Sequence, residues 1–218
     1  MPVVTSQHRY IAIEGPIGVG KTSLARRLSE SFGSELMLED AGGNPFLERF
    51  YDDPKAGALP TQLFFLFQRA QQMQELQQHD MFSPVRVADF LMNKDRLFAE
   101  LTLDADEMQL YLQVADKLDI QAPVPDLVIY LQAPVDVLRQ RIIGRGIKSE
   151  QWMDKDYLIR LVDTYSRFFH HYQDAPLLIV NAAEIDPINK EEDYQLLLKR
   201  ILSMRSGRHY FNPLPMVM

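Results

Sequence analysis

At 218 residues, of which 46% are hydrophobic, the chain is long enough to bury a full core and suits a single domain. Its formal net charge of −7 disfavours nucleic acid or an anionic membrane as a partner, while a small anionic ligand needs only local positive charge. The absence of cysteine excludes disulfides, thiolate metal sites and cysteine nucleophiles.

The first predicted elements surround a glycine-rich loop. Residues 15–22 fit G-x-x-x-x-G-K-[ST], after a strand-like run at 10–13 and before a helical pattern at 22–32. Such loops point backbone N–H groups and a helix N-terminus at phosphates. A chance glycine-rich turn is the alternative, and the flanking strand and helix favour a triphosphate site. Its candidate residues are Gly15, Gly18, Val19, Gly20, Lys21, Thr22 and Ser23.

The next predicted elements lead to a long helix. Residues 35–39 form a second strand, which ends at Glu39 and Asp40, and are followed by a loop at 41–46, a short helix at 46–51 and another loop at 52–60. The long helix spans 61–78. Gln62 and Arg69 lie about two turns apart on it, so they can share one face.

The rest of the chain alternates strands with helices. Strands are predicted at 85–89, 126–131 and 177–180, helices at 93–101, 105–118, 134–143, 154–172 and 191–204, and an irregular tail after Ser206. Five apolar strands alternating with helices predict an α/β fold, with a five-stranded, mostly parallel sheet covered by helices on both faces.

Ligands of such sheets bind beyond the carboxyl ends of the strands. The glycine loop, Glu39 and Asp89 all fall at that edge. One acid alone could be a helix cap or turn residue, but two beside a phosphate loop favour a functional interpretation. One could activate a substrate hydroxyl, and the other could hold Mg²⁺ together with Thr22.

Basic residues follow the fourth strand at Arg139, Arg141, Arg145 and Lys148. If the helix persists, the last three share one face. A solvated helix face is the ordinary interpretation. Beside a triphosphate site, however, mobile arginines can stabilise the transferring group, so we interpret the segment as a lid with hinges at Gly144 and Gly146.

A phosphate loop alone does not name a reaction. The guanine-reading pattern N-K-x-D of GTPases fails at residues 93–96, where the sequence reads NKDR, and no convincing D-x-x-G is present. A short chain with acids at strand ends and an arginine lid fits a small kinase best.

Further motifs resemble the deoxynucleoside kinase family, in particular its bacterial deoxyadenosine and deoxyguanosine kinases. They are IEG before the loop (13–15), Glu39 followed by NPF (44–46), QLFFLFQR (62–69), DRLFA (95–99), and Arg141, RG (145–146) and EQ (150–151) of the lid. The resemblance covers most of the chain, which we treat as one domain over 1–218 with a lid at about 141–151.

The resemblance implies an ATP- and Mg²⁺-dependent 5′-kinase of a deoxynucleoside, more specifically a purine one. By position, Glu39 would be the general base, Tyr51 and Glu150 would hold the sugar 3′-hydroxyl, and Gln62 would read the base edge. Arg69 and Asp95 would set base preference, and Arg141 and Arg145 would close on the phosphates. Tyr51 as plain packing and Gln62 as an ordinary helix-surface residue are the alternatives.

The sequence also departs from the family pattern. An acid followed by arginine usually ends the third strand, but here Phe90 follows Asp89, so an arginine is missing and the charge balance is in question. The lid reads Arg145-Gly146-Ile147 instead of R-G-R, with Lys148 as a candidate substitute. The D-R stretch is one residue shorter than in some relatives, which leaves the alignment of Asp95 open.

Two other functions stay open on sequence alone. A thymidylate-type nucleoside monophosphate kinase shares the fold and lid, but its acceptor phosphate would require a basic pocket where Glu39 stands. A catalytically inactive nucleotide-binding regulator is supported only by the missing arginine. No signal peptide or membrane span is recognisable, so we expect a cytoplasmic protein, and the resemblance implies a homodimer through helices such as 61–78.

Overall fold

The fold is a six-stranded parallel sheet with helices on both faces. It is described by a computed structural model that covers residues 4–77, 85–147, 150 and 153–212. The strands are β1 (Tyr10–Glu14), β2 (Glu35–Met37), β3 (Arg86–Ala88), β4 (Leu127–Gln132), β5 (Leu177–Asn181) and β6 (Arg208–Phe211). Their order is β2-β3-β1-β4-β5-β6, with every neighbouring pair parallel.

Nine-residue and longer helices alternate with these strands, apart from the short α2. Their bounds are α1 (Lys21–Phe32), α2 (Leu47–Asp52), α3 (Pro54–Gln77), α4 (Lys94–Thr102), α5 (Ala105–Leu118), α6 (Val135–Arg145), α7 (Lys155–His171) and α8 (Glu191–Ser203). None of the helices within the described ranges is long and apolar enough to span a membrane.

Alternation along the strands builds a core on each side of the sheet. Ile11 and Ile13 of β1 face a cluster with α1, α6 and α8, whereas Tyr10 and Ala12 face a cluster with α3, α4 and α7. Both sets are buried, because successive strand residues point to opposite faces and helices cover both. The predicted fold class is confirmed, and the sheet is anchored tightly enough to hold its carboxyl edge in place.

Two elements differ from the sequence prediction. The long helix begins at Pro54, not at Thr61, and it contains Pro60. Buried packing of its first turns, at Gly57 and Ala58, outweighs the hydrogen bond that proline removes. The tail after Ser206 is not irregular: it forms β6, paired with β5, and Phe211 packs against the core.

The start of α3 packs against α2 through Gly57. A Cβ at this position would lie 2.5 Å from Phe50 Cα. We therefore expect Gly57→Ala to lower the free energy of unfolding by about 1–3 kcal/mol through overpacking. Gly144→Ala in α6 is the matched control, since its Cβ would meet nothing within 4 Å. Equal denaturation midpoints for the two variants would contradict this close approach.

Candidate active site

A cavity of about 570 Å³ opens at the carboxyl edge of the sheet. The glycine loop, α3, the end of α6 and the loop after β5 form its walls. Most predicted site residues line it: Gly18, Val19, Gly20, Lys21, Thr22, Ser23, Glu39, Tyr51, Gln62, Arg69, Asp89, Arg141, Arg145 and Glu150. Gly15 and Asp95 do not line it and act from behind its wall.

The glycine loop joins β1 to α1 in the predicted manner. Gly15 allows the loop to pass against β4, because a Cβ there would lie 2.3 Å from the Leu131 carbonyl oxygen. Gly20, at φ 103°, precedes α1 in the left-handed region that favours glycine. The loop thus turns tightly and leaves the first backbone N–H groups of α1 directed towards the cavity.

Lys21 places its ammonium at the loop. Its Nζ donates hydrogen bonds to the carbonyl oxygens of Gly15 (2.7 Å) and Pro16 (3.2 Å). Burial lowers the pKa of Lys21 to about 8, and the nearby charge of Lys94 lowers it further within that value. An anionic group in the cavity would favour the charged form of this side chain.

Asp89 links the two acid-bearing loops. Its Oδ2 accepts a hydrogen bond from the Thr22 hydroxyl, and its Oδ1 accepts one from the backbone N–H of Glu39 at 2.8 Å. Oxygen ligands of this kind suit Mg²⁺, which proteins often bind through one or two side chains and substrate phosphates. Within the described ranges, no group of three or more His, Cys, Asp or Glu residues could hold a metal.

Glu39 lies two residues beyond β2 and faces the same cavity as Lys21. Arg69 donates to its Oε1, and Lys94 donates to its Oε2 at 2.7 Å. Burial alone would raise the pKa of Glu39, but the Lys94 ammonium and the Arg69 guanidinium outweigh it and hold the pKa well below its usual range. The carboxylate is therefore ionised and fixed by two cations.

Arg69 connects Glu39 to a deeper acid. Its guanidinium also donates to Asp95 Oδ1, and the Tyr111 hydroxyl donates to Asp95 Oδ2. Burial raises the pKa of Asp95, against the influence of Arg69. Asp95 thus belongs to the site through Arg69, although it does not line the cavity.

Gln62 is held by a polar neighbour on α4. Its Nε2 donates to Thr102 Oγ1 at 3.2 Å, and the Thr102 hydroxyl in turn donates to the Phe98 carbonyl at 2.7 Å. Gln62 is buried, so it is not an ordinary helix-surface residue. Tyr51 also lines the cavity, where burial and the neighbouring Tyr157 raise the pKa of its hydroxyl.

The lid arginines make contacts within the described residues. Arg141 donates to the carbonyl oxygens of Val19 (3.2 Å) and Ala182 (2.7 Å), and Arg145 forms an ion pair with Glu150. Gly146 ends α6 in the left-handed region, at φ 74°. Lys148 and Gln151, which the sequence also placed in the lid, lie outside the described residues.

Some residues at the site carried no functional assignment from sequence. Lys94 entered only in rejecting a guanine-reading pattern, and Thr102 did not enter at all. The loop at 182–190, which lines the cavity beside the glycine loop, was also missed. Only the D-R motif signalled Lys94, since it placed α4 near the site, and Thr102 had no signal because its partner is forty residues away.

The family model described as "Deoxynucleoside kinase" matches residues 11–204 of the chain. The chain belongs to the deoxynucleoside kinase family. Deoxyguanosine kinase of Bacillus subtilis is 32% identical over 198 residues, which cover 88% of this chain and 95% of that protein. Deoxyadenosine kinase of Lactobacillus acidophilus is 28% identical over 208 residues, which cover 88% and 94%.

A solved structure, deoxyadenosine kinase from M. mycoides with bound dCTP, shares the fold. Its TM-score is 0.75 at 23% identity, and the match covers 88% of this chain and 98% of that one. This deoxynucleoside kinase is thus a phosphotransferase with an alcohol group as acceptor. The resemblance predicted from the motifs, and the fold class, are confirmed.

Proposed function

We propose that this deoxynucleoside kinase transfers the γ-phosphate of ATP to the 5′-hydroxyl of a purine deoxynucleoside with the help of Mg²⁺. One observation carries the proposal: the Lys21 loop and the Glu39 carboxylate face a single cavity. A triphosphate held by the loop would present its terminal phosphate to a hydroxyl held by the carboxylate. The names of the relatives in Bacillus subtilis and Lactobacillus acidophilus support a purine acceptor.

Glu39 is the proposed acceptor of the 5′-hydroxyl proton. Phosphoryl transfer passes through a loose transition state, in which the attacking hydroxyl needs orientation more than early deprotonation. A carboxylate that is ionised at neutral pH and fixed by two cations meets this need. Both carboxylate oxygens keep a free lone pair for the hydroxyl.

Thr22 and Asp89 are the proposed holders of Mg²⁺, which would neutralise charge on the β- and γ-phosphates. The Lys21 ammonium binds the same phosphates beside the backbone N–H groups of residues 18–23. Arg141 and Arg145 close on them from α6, which shields the reaction from water.

Tyr51 and Glu150 are proposed to bind the sugar 3′-hydroxyl, and Gln62 the base edge, with Arg69 and Asp95 behind it. The Tyr51 hydroxyl is protonated at neutral pH, so it can donate a hydrogen bond to the sugar. Glu150 reaches the cavity while paired with Arg145, which ties sugar binding to the lid.

An acceptor panel tests this function. The wild-type protein is incubated with ATP and each deoxynucleoside, or with dTMP, in the presence of Mg²⁺ or EDTA, and ADP and the phosphorylated product are quantified. We expect Mg²⁺-dependent formation of a purine deoxynucleoside 5′-monophosphate. Turnover of dTMP alone would identify a nucleoside monophosphate kinase, and ATP binding without transfer would identify a regulator.

Thr102 is predicted to fix base selection through Gln62. Its hydroxyl proton goes to the Phe98 carbonyl, so it offers Gln62 only an acceptor and holds the amide in one orientation. Adenine and guanine edges require opposite orientations of an amide. We expect Thr102→Val to reduce the ratio of kcat/KM between deoxyadenosine and deoxyguanosine by about tenfold, which corresponds to one lost hydrogen bond. Thr102→Ser should keep the wild-type ratio, and an unchanged ratio in Thr102→Val would count against this role.

We further propose that residues 1–218 form one domain and that the protein is a cytoplasmic homodimer. The continuous six-stranded sheet supports a single domain, and family membership supports the dimer. The mass in solution, measured by light scattering, decides the oligomeric state.

A further inference from the structure

Lys94 is a buried ammonium at the wall of the cavity. Its side chain is 6% exposed, and of the lysines that the structure describes it is the one that is buried. Burying a charge is costly unless the group is paired, so its position requires a compensating partner. That partner is Glu39, whose Oε2 lies 2.7 Å from Lys94 Nζ.

The stability of α4 does not account for this position. Lys94 is the first residue of the helix, where the macrodipole favours negative side chains and disfavours an ammonium. Asn93 gives the helix no side-chain cap either. Within its own helix, Lys94 gains only a contact over the Phe98 ring, 5.4 Å from its centroid. The ion pair with Glu39 is therefore the main interaction that holds it.

Charge balance in the buried cluster gives the same answer. Arg69 bears one positive charge and touches two carboxylates, Glu39 and Asp95. Lys94 adds the second positive charge, so the cluster holds two cations and two anions. Without Lys94, one guanidinium would have to neutralise both acids.

Position 90, where the family pattern places an arginine, cannot supply this charge. Phe90 is fully buried, and it packs in the core between the sheet, α3 and α7. Lys94 follows one turn later and reaches the cavity from the start of α4. The charge deficit expected from the sequence is thus absent around Glu39.

We propose that Lys94 is a positioning residue for phosphoryl transfer. It holds the Glu39 carboxylate ionised and, together with Arg69 on the other oxygen, fixes the rotation of that carboxylate towards the acceptor hydroxyl. This inference rests on the proposed role of Glu39 as proton acceptor. Lys94 acts through Glu39, so its removal should affect the reaction step and leave the binding of both substrates largely unchanged.

The first test compares Lys94→Met with wild type under saturating ATP and Mg²⁺. We expect kcat to fall at least about tenfold, while KM for the deoxynucleoside and Kd for a non-hydrolysable ATP analogue change less than about threefold. Arg96→Met is the matched control, because Arg96 lies on the same helix, is exposed and pairs only with Glu100. A kcat of Lys94→Met equal to that of Arg96→Met would overturn the proposal.

The second test is a double-mutant cycle with Glu39→Gln. If Lys94 acts through Glu39, adding Lys94→Met to Glu39→Gln should lower kcat by less than about threefold. A further loss as large as in the wild-type background would overturn the proposal. The double variant removes both charges of the pair, so this comparison stands even where Lys94→Met alone unfolds. An inactive wild-type protein would instead refute the proposed function itself.

Discussion

Replacing Glu39 by glutamine should lower kcat by about 10²–10⁴-fold, the usual contribution of a general base. Glutamine keeps the shape of the side chain but cannot accept the hydroxyl proton. ATP binding should remain within about threefold of wild type, because the phosphate loop and Lys21 bind ATP without Glu39. Single-turnover kinetics with the preferred deoxynucleoside, together with titration of an ATP analogue, measure the two effects separately.

Glu35→Gln is the matched control for this variant. Glu35 begins the same strand, is 46% exposed and pairs with Arg86 on the side of the sheet edge away from the cavity. Its replacement should leave kcat unchanged. If Glu39→Gln turned over as fast as Glu35→Gln, another group would have to accept the proton, and the assignment of Glu39 would be wrong.

Replacing Arg69 by methionine should lower the free energy of unfolding by about 3–5 kcal/mol at neutral pH, since it leaves buried carboxylates without their partner. Arg69 is 2% exposed and contacts both Glu39 and Asp95. Methionine fills much of the same volume, so the loss reflects charge more than a cavity. Urea denaturation, with the slope m checked for constancy, measures the change.

The penalty in Arg69→Met should depend on pH in a defined direction. In the wild-type protein, the lowered pKa of Glu39 stabilises the fold above the pKa of the unfolded chain. Without Arg69 this stabilisation is weakened, and protonation of the acids relieves their repulsion as the pH falls. The difference from wild type should therefore shrink towards acidic pH.

Arg96→Met provides the control for this charge as well. Arg96 and Glu100 form an exposed pair, at 70% and 53% exposure, so its loss should change stability by less than about 0.5 kcal/mol. Adding Asp95→Asn to Arg69→Met should recover part of the lost stability, since it removes one unpaired carboxylate. A cost for Arg69→Met no greater than that for Arg96→Met would show that the buried cluster does not depend on this guanidinium.

Much of the fold could be predicted because its signals are local. The apolar runs of β1, β4 and β5 and the capping box that starts α5 at Asp104 are visible in a few adjacent residues. The start of α3 was missed because Pro54 and Pro60 indicate a loop, while packing against α2 stabilises the helix. The strand β6 was missed because Arg208–Phe211 has little apolar character and pairs only through β5.

The candidate site followed the same division. The phosphate loop and Glu39 were predictable from a motif and a strand end, and they do face one cavity. The contacts of Lys94 with Glu39, and of Thr102 with Gln62, join distant parts of the chain. Sequence patterns do not encode such contacts, so the apparent loss of an arginine at Phe90 indicated a missing charge that tertiary structure supplies elsewhere.

The buried carboxylate of Glu14 anchors the phosphate loop from beneath. Its Oε1 accepts hydrogen bonds from Gly15 N (2.8 Å) and the Tyr165 hydroxyl (2.9 Å), and its Oε2 accepts one from Leu91 N (3.0 Å). The first glycine is therefore tied to the segment after Asp89 and to α7 by a residue outside the usual loop pattern. In this protein, the structural unit that cradles phosphate begins one position before its consensus, and grafting the consensus alone onto another scaffold would omit its foundation.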